Sequence, residues 1–223
     1  MKYQVGTVTI GQAPRVDITP DLKTIIGDGI EIVEAGALDG LTKEQIAAMA
    51  PHEGDYVLVT RMADGSSVQI SEHAVTPLLI DKINAHFESG INTVLLLCTG
   101  EFPGFAAKGL LLRPQKLLFN FVQAAASGMR LGVFMPSADQ LKQSTERWSK
   151  VSPQVKSVGA SPYVNPELSI AEGAKELADW GADVIIMDCM GYSLAMKEKV
   201  RQITGKPVIL ARAVAARALC ELI

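Results

Sequence analysis

With 223 residues, 48% of them hydrophobic and 20% charged, the chain can build one domain or two small ones around a sizeable core. Its 21 basic and 24 acidic residues leave a net charge of −3 with no long run of one sign, which argues against nucleic acid or an anionic membrane surface as partner. No apolar stretch nears the roughly 20 residues that span a bilayer, and three widely spaced cysteines, an odd number, read as reduced thiols of a cytoplasmic protein.

The opening "MKYQVGTVTIGQ" alternates like a strand over Tyr3 to Ile10 and lacks the apolar core and cleavage site of a signal peptide. It breaks in "IGQAPR", Ile10 to Arg15, and a helix is expected to start at Thr19, before Pro20. Gly27 and Gly29 precede the next strand, Ile30 to Val33, instead of opening a helix after one, so they read as a turn and not as a dinucleotide loop. Thr42, with Gln45 three residues on, marks a capped helix. A strand over Tyr56 to Thr60 leads into "TRMADGSSVQI", a hairpin turning at Asp64 and Gly65. The strand Thr93 to Leu97 then runs into Cys98 and breaks at Thr99 and Gly100.

The second half repeats the unit. Strands are expected at Leu131 to Met135, Val155 to Val158, Val184 to Met187 and Val208 to Leu210. Helix starts fall at Ser137 with Gln140, at Asn165 before Pro166, and at Ser193 before "LAMKEKVRQI". The third of these strands ends through Asp188 at Cys189 and breaks at Gly191. Strand, loop and capped helix in alternation predict an α/β fold, its sheets mostly parallel and flanked by helices. Each half opens with a strand and later delivers a strand ending in cysteine, which suggests two pseudo-symmetric lobes. We place them at residues 1–112 and 113–223, with the hairpin an elaboration of the first and the C-terminal segment free to return to it.

In open α/β sheets, ligands bind beyond the carboxyl ends of the strands, the edge where Cys98 and Cys189 lie. Two lobes facing across a pseudo-twofold axis would put one thiol on each wall of a cleft. Such a pair suits proton exchange: a thiolate takes a proton from one face of an acidic carbon and the other thiol returns one to the opposite face. The thiols must then differ in protonation, since a free thiol titrates near 8.5 and needs a helix N-terminus or a cation to lower it; the helix after Ser193 is one source. The competing reading is that a cysteine at a strand end is merely a small apolar residue. Cys220, in the apolar terminal stretch "AVAARALCELI", is read that way, as core.

Around the two thiols, Arg15 offers a planar fork for a ligand carboxylate, with Gly11 and Gln12 in the same loop; the alternative is a solvated loop charge. Arg61 is a weaker candidate for the same role. Glu101 could order a ligand amine or a thiol, Thr99 and Tyr192 could form hydrogen-bonding walls, and Gly100, Met190 and Gly191 complete the two cysteine loops. His52, His73 and His86 show no metal-ligand spacing, so no zinc site is expected.

The segments "TIGQAPR", "LLLCTGEFP" and "MDCMGY" resemble those of the AroM family, part of the wider aspartate/glutamate/hydantoin racemase superfamily. The resemblance implies a two-lobed α/β sandwich with a cofactor-independent active site between the lobes and Cys98 and Cys189 as its matching cysteines. Glutamate racemases typically follow their cysteines with Asn-Thr and Thr-His, where this chain has Thr99-Gly100 and Met190-Gly191, so glutamate is not the expected ligand. The expectation is a racemase-like enzyme acting on a small carboxylate or hydantoin-like molecule, compatible with a homo-oligomer. The alternatives are a lyase or isomerase using one cysteine, and a noncatalytic small-molecule binding protein.

Overall fold

The computed structural model describes residues 3–223. In the first lobe, β1 (Tyr3–Thr9), β2 (Ile30–Gly36), β5 (Thr93–Leu96) and β6 (Leu110–Leu112) form a parallel sheet in the order β2-β1-β5-β6. In the second, β7 (Leu131–Met135), β8 (Val155–Gly159), β9 (Val184–Met187) and β10 (Val208–Leu210) form another, in the order β10-β9-β7-β8. Numbered within its own lobe, each sheet reads 2-1-3-4. The antiparallel hairpin β3 (Val57–Arg61) and β4 (Ser67–Ser71) is inserted between the second and third strands of the first lobe. It turns at Gly65, whose φ of +89° is the left-handed conformation that glycine adopts without strain.

Parallel strands buried on both faces need apolar residues at every position, and β5, β7 and β9 are buried throughout. Alternate residues then supply different cores. Leu95 and Leu97, Leu131 and Val133, and Val184 and Ile186 share one cluster that runs through both lobes. Val94 and Leu96 face a second cluster with the hairpin and α3 (Glu72–Glu88), while Ile185 and Met187 face a third with α6 (Pro166–Asp179). The last helix, α8 (Ala211–Cys220), packs on α1 (Thr19–Ile26) and α4 (Pro114–Ala126) and joins the shared cluster through Ala211, Ala215, Ala216 and Leu219.

One local expectation is corrected. Cys220 is exposed and not core: Leu219 points inward, and one residue further along a helix the side chain turns by about 100°. The helix expected at Thr19 does start there, with Ile18 preceding it and Pro20 in its first turn. Asn165 precedes α6 without a side-chain cap, in the left-handed conformation (φ 45°) that asparagine tolerates. Thr42 and Ser193 do cap their helices, accepting from Gln45 and Met196 N–H. Ser137 accepts from Asp139 N–H at the start of a single 3-10 turn, Ala138–Gln140, that continues into α5 (Leu141–Trp148). Strand β6 was not expected. Among the described residues no helix is long and apolar enough to cross a membrane.

Candidate active site

Cys98 follows the third strand of the first lobe and Cys189 the third of the second, and both line one cavity between the lobes. Each sulfur accepts a backbone N–H two residues on: Gly100 N–H to Cys98 at 3.2 Å and Gly191 N–H to Cys189 at 3.3 Å. The two loops also touch, since the Thr99 hydroxyl donates to the Asp188 carbonyl at 3.2 Å. The cavity is narrow, with about 20 Å³ open to water centres, room for roughly one water molecule.

Each thiol has an arginine and a tyrosine beside it. Arg147, on α5 of the second lobe, donates Nη1–H to the Thr99 carbonyl (3.0 Å) and to Asp188 Oδ2 (3.0 Å), and Nη2–H to the Tyr56 hydroxyl. Its Nε lies 3.3 Å from Glu101. Arg15, from the first lobe, donates Nη1–H to Thr9 (2.8 Å) and Nη2–H to the Tyr163 hydroxyl (3.3 Å), which lies 3.9 Å from the Cys189 sulfur. The positions match topologically. Both arginines lie between the first and second strands of their lobe, and both tyrosines between the second and third. Each arginine serves the cysteine of the opposite lobe.

Burial pushes the Cys98 thiol up to about 12 and the Cys189 thiol up as well, against the pull of the Gly100 and Gly191 amides. Arg147 for Cys98 and Arg15 for Cys189 act in the same downward direction as the amides, while Asp188 pushes both thiols up. Asp188 itself is buried, and its Oδ2 accepts from Trp148 Nε1–H at 2.9 Å as well as from Arg147. Three buried polar atoms without a partner belong to residues lining this cavity: Thr60 Oγ1, Gln140 Oε1 and Asp188 Oδ1. Buried polar groups are nearly always paired in folded proteins, so these are the groups a polar molecule in the cavity could satisfy. Among the described residues, no group of three or more His, Cys, Asp or Glu side chains is placed to hold a metal ion.

A family model described as AroM protein matches residues 5–223. The chain belongs to the AroM family. No curated protein matches this AroM chain. Its fold is shared with an allantoin racemase from Klebsiella pneumoniae at 13% identity, covering 99% of this chain and 87% of that one with a TM-score of 0.67. It is also shared with the Picrophilus torridus aspartate racemase (14% identity, 98% and 93% coverage, TM-score 0.62) and an unliganded arylmalonate decarboxylase (13% identity, 97% and 92% coverage, TM-score 0.60). At such identities the likeness is one of fold.

The AroM structure brings Cys98, Thr99, Gly100, Cys189, Met190, Gly191 and Arg15 to the cavity. Other expectations need correcting. Arg15 is no solvated loop charge, being 3% exposed, and its Nε and Nη2 fork already holds Asp17 at 2.9 and 2.8 Å, so it is not free for a ligand carboxylate. Arg61 pairs with the same Asp17 at 3.6 Å, outside the cavity lining. Gln12 ties the hairpin to its own loop, donating to the Leu38 carbonyl and accepting from Ala63 N–H. Gly11 lies under that hairpin, where a Cβ would come within 2.4 Å of the Arg61 carbonyl. Glu101 pairs with Arg147 behind the cavity wall. Tyr192 is a core residue and not a wall, its hydroxyl donating to the Ala160 carbonyl at 2.7 Å. Sequence reading missed Tyr56, Arg147, Tyr163 and Asp188. Of these, only Asp188 carried a signal, as a carboxylate ending an apolar strand.

Proposed function

We propose that this AroM protein is a cofactor-independent enzyme that exchanges a proton at the stereocentre of a small polar molecule, a carboxylate or a hydantoin-like compound, using Cys98 and Cys189 as its two acid-base groups. The observation that carries the reading is the placement of both thiols, from topologically equivalent strand ends, on one cavity. Cysteines serving only as core residues have no reason to converge there. The unpartnered acceptors around them, Gln140 Oε1 and Asp188 Oδ1, favour a ligand that offers N–H donors.

The test is incubation with candidate chiral acids and hydantoins in heavy water, following exchange at the stereocentre by NMR. Cys98→Ala and Cys189→Ala should each lower the exchange rate by about 10² to 10⁴-fold, the usual worth of an acid-base group, with the fold unchanged. Full activity in either variant rules out the two-base reaction. A second reading, in which one cysteine drives decarboxylation or isomerisation, draws on the unequal surroundings of the two sulfurs: a tyrosine hydroxyl reaches Cys189, while that of Tyr56 is engaged by Arg147. Net chemistry that survives loss of one thiol selects it.

A further inference from the structure

Cys98 and Cys189 share a cavity and a backbone amide each, yet they differ in what else reaches the sulfur. Tyr163 OH is 3.9 Å from the Cys189 sulfur, and the same oxygen accepts Nη2–H of Arg15 at 3.3 Å. With the oxygen accepting from a guanidinium, its hydrogen is left to point at the sulfur, and donors in a chain polarise one another. Tyr163 is buried and held far above the ordinary phenol range, chiefly by that burial, so it stays a neutral donor. The Tyr56 hydroxyl, by contrast, accepts from both Arg147 and Glu101 N–H and makes no bond to Cys98.

We infer that Cys189 is the first of the two thiols to ionise, and that Tyr163, backed by Arg15, is the positioning residue that makes it so. The inference rests on the two-thiol reading of the site. In that reaction the Cys189 thiolate takes the proton from the substrate carbon, and the Cys98 thiol donates its own to the opposite face. The negative charge ends on Cys98, and once the product has left, proton exchange through water moves a proton from Cys189 to Cys98 and restores the starting form.

Other charges around Cys189 do not overturn this order. Asp188 is common to both thiols and raises each. Asp17 is engaged by the fork of Arg15, and Arg212 spends its donors on the Met190 and Gly191 carbonyls and Asp21. Tyr192 donates away from the sulfur, to Ala160.

Thiolate ultraviolet absorbance, followed against pH, reads the order directly and needs no substrate. Cys98→Ala reports Cys189 and Cys189→Ala reports Cys98, both in a Cys220→Ser background because Cys220 is exposed. The variant lacking all three thiols gives the tyrosine signal to subtract. Cys189 is expected to titrate at lower pH than Cys98. Tyr163→Phe, which removes only the hydroxyl, should reduce the Cys189 thiolate at a given pH about tenfold, one pKa unit, while Tyr56→Phe leaves Cys189 in place. Equal titration of the two thiols, an earlier Cys98, or a Cys189 unmoved by Tyr163→Phe overturns the inference. The comparison of the two thiols needs no tyrosine variant, so it holds even where Tyr163→Phe does not fold. If the order fails while proton exchange persists, the inference alone is lost; if the order holds and no exchange is found, the proposed function is lost instead.

Discussion

Replacing Arg147 by methionine should destabilise the protein strongly, and the loss should be partly repaired by neutralising Asp188. Both side chains are buried, with relative exposures of 4% and 0%. Methionine keeps the apolar stem, so the change removes the charge and its donors more than the packing. Asp188 then keeps Trp148 Nε1–H as its side-chain donor and loses its cation. Breaking a buried ion pair by removing one partner costs about 3–5 kcal/mol, most of it the uncompensated charge left behind. For a chain of this length, 1 kcal/mol moves Tm by about 2–4 °C, so Arg147→Met should lower it by roughly 6–20 °C. Asp188→Asn in the same background removes the stranded charge and leaves an acceptor for Trp148. It should return about 1–3 kcal/mol, the coupling expected of residues in one network. Urea denaturation of the wild type, both single variants and the double variant measures the cycle. A loss below about 1 kcal/mol for Arg147→Met, or no rescue in the double variant, would refute the view that Asp188 and Arg147 are a buried charge pair holding the second lobe's side of the cavity together.

Two further outcomes are expected. Gln143, from the second lobe, holds the hairpin by donating to the Val57 carbonyl (2.9 Å) and accepting Val57 N–H (3.1 Å); Gln143→Ala should cost about 1–3 kcal/mol and speed hydrogen exchange at residues 57–61, and unchanged exchange there would free the hairpin from this clasp. Because both site thiols are raised by burial, the unfolded chain ionises first as the pH climbs, so the thiols' contribution to stability is whole below about pH 8.5 and is lost towards about 12, the Cys98 value. Alkaline melting curves should therefore fall less steeply in Cys98→Ala, and parallel curves would show that the thiol is not held protonated by the fold.

Much of the fold was legible because parallel buried strands leave a strong mark: Val184 to Met187 and Leu131 to Met135 are apolar without interruption, and their bounds were read correctly. β6 left no such mark, being three leucines after a long loop, and it forms because Asn92 and Thr93 present a strand edge to pair with. The thiols could be found from their position after strands. Their neighbours could not. Arg147 sits in "LKQSTERWSK", a polar stretch that reads as a solvated helix, and its burial comes from a contact with the other lobe that no local pattern records. Arg15 was visible as a charge in a loop, but its commitment to Asp17 two residues on depends on the fold of that loop. Tyr192 shows the converse: proximity in sequence to Cys189 suggested a wall, while the backbone turns it into the core.

The narrowness of the cavity gives the bonds between hairpin and second lobe a kinetic meaning. About 20 Å³ of it is open to water centres, and parting the hairpin from the second lobe would widen it. That parting breaks the two Gln143 bonds to Val57, the one from Gln140 Nε2 to the Val57 carbonyl, and the two from Gln69 Nε2 to Ser137 Oγ and Asp139 Oδ2. At a net 0.5–1.5 kcal/mol each, the five hold the hairpin down by about 2.5–7.5 kcal/mol, a parted population of roughly one in seventy or less. A ligand that paired Thr60, on the hairpin, together with Gln140 and Asp188, on the second lobe, would gain those bonds only with the hairpin in place, and so would favour the docked form over the parted one.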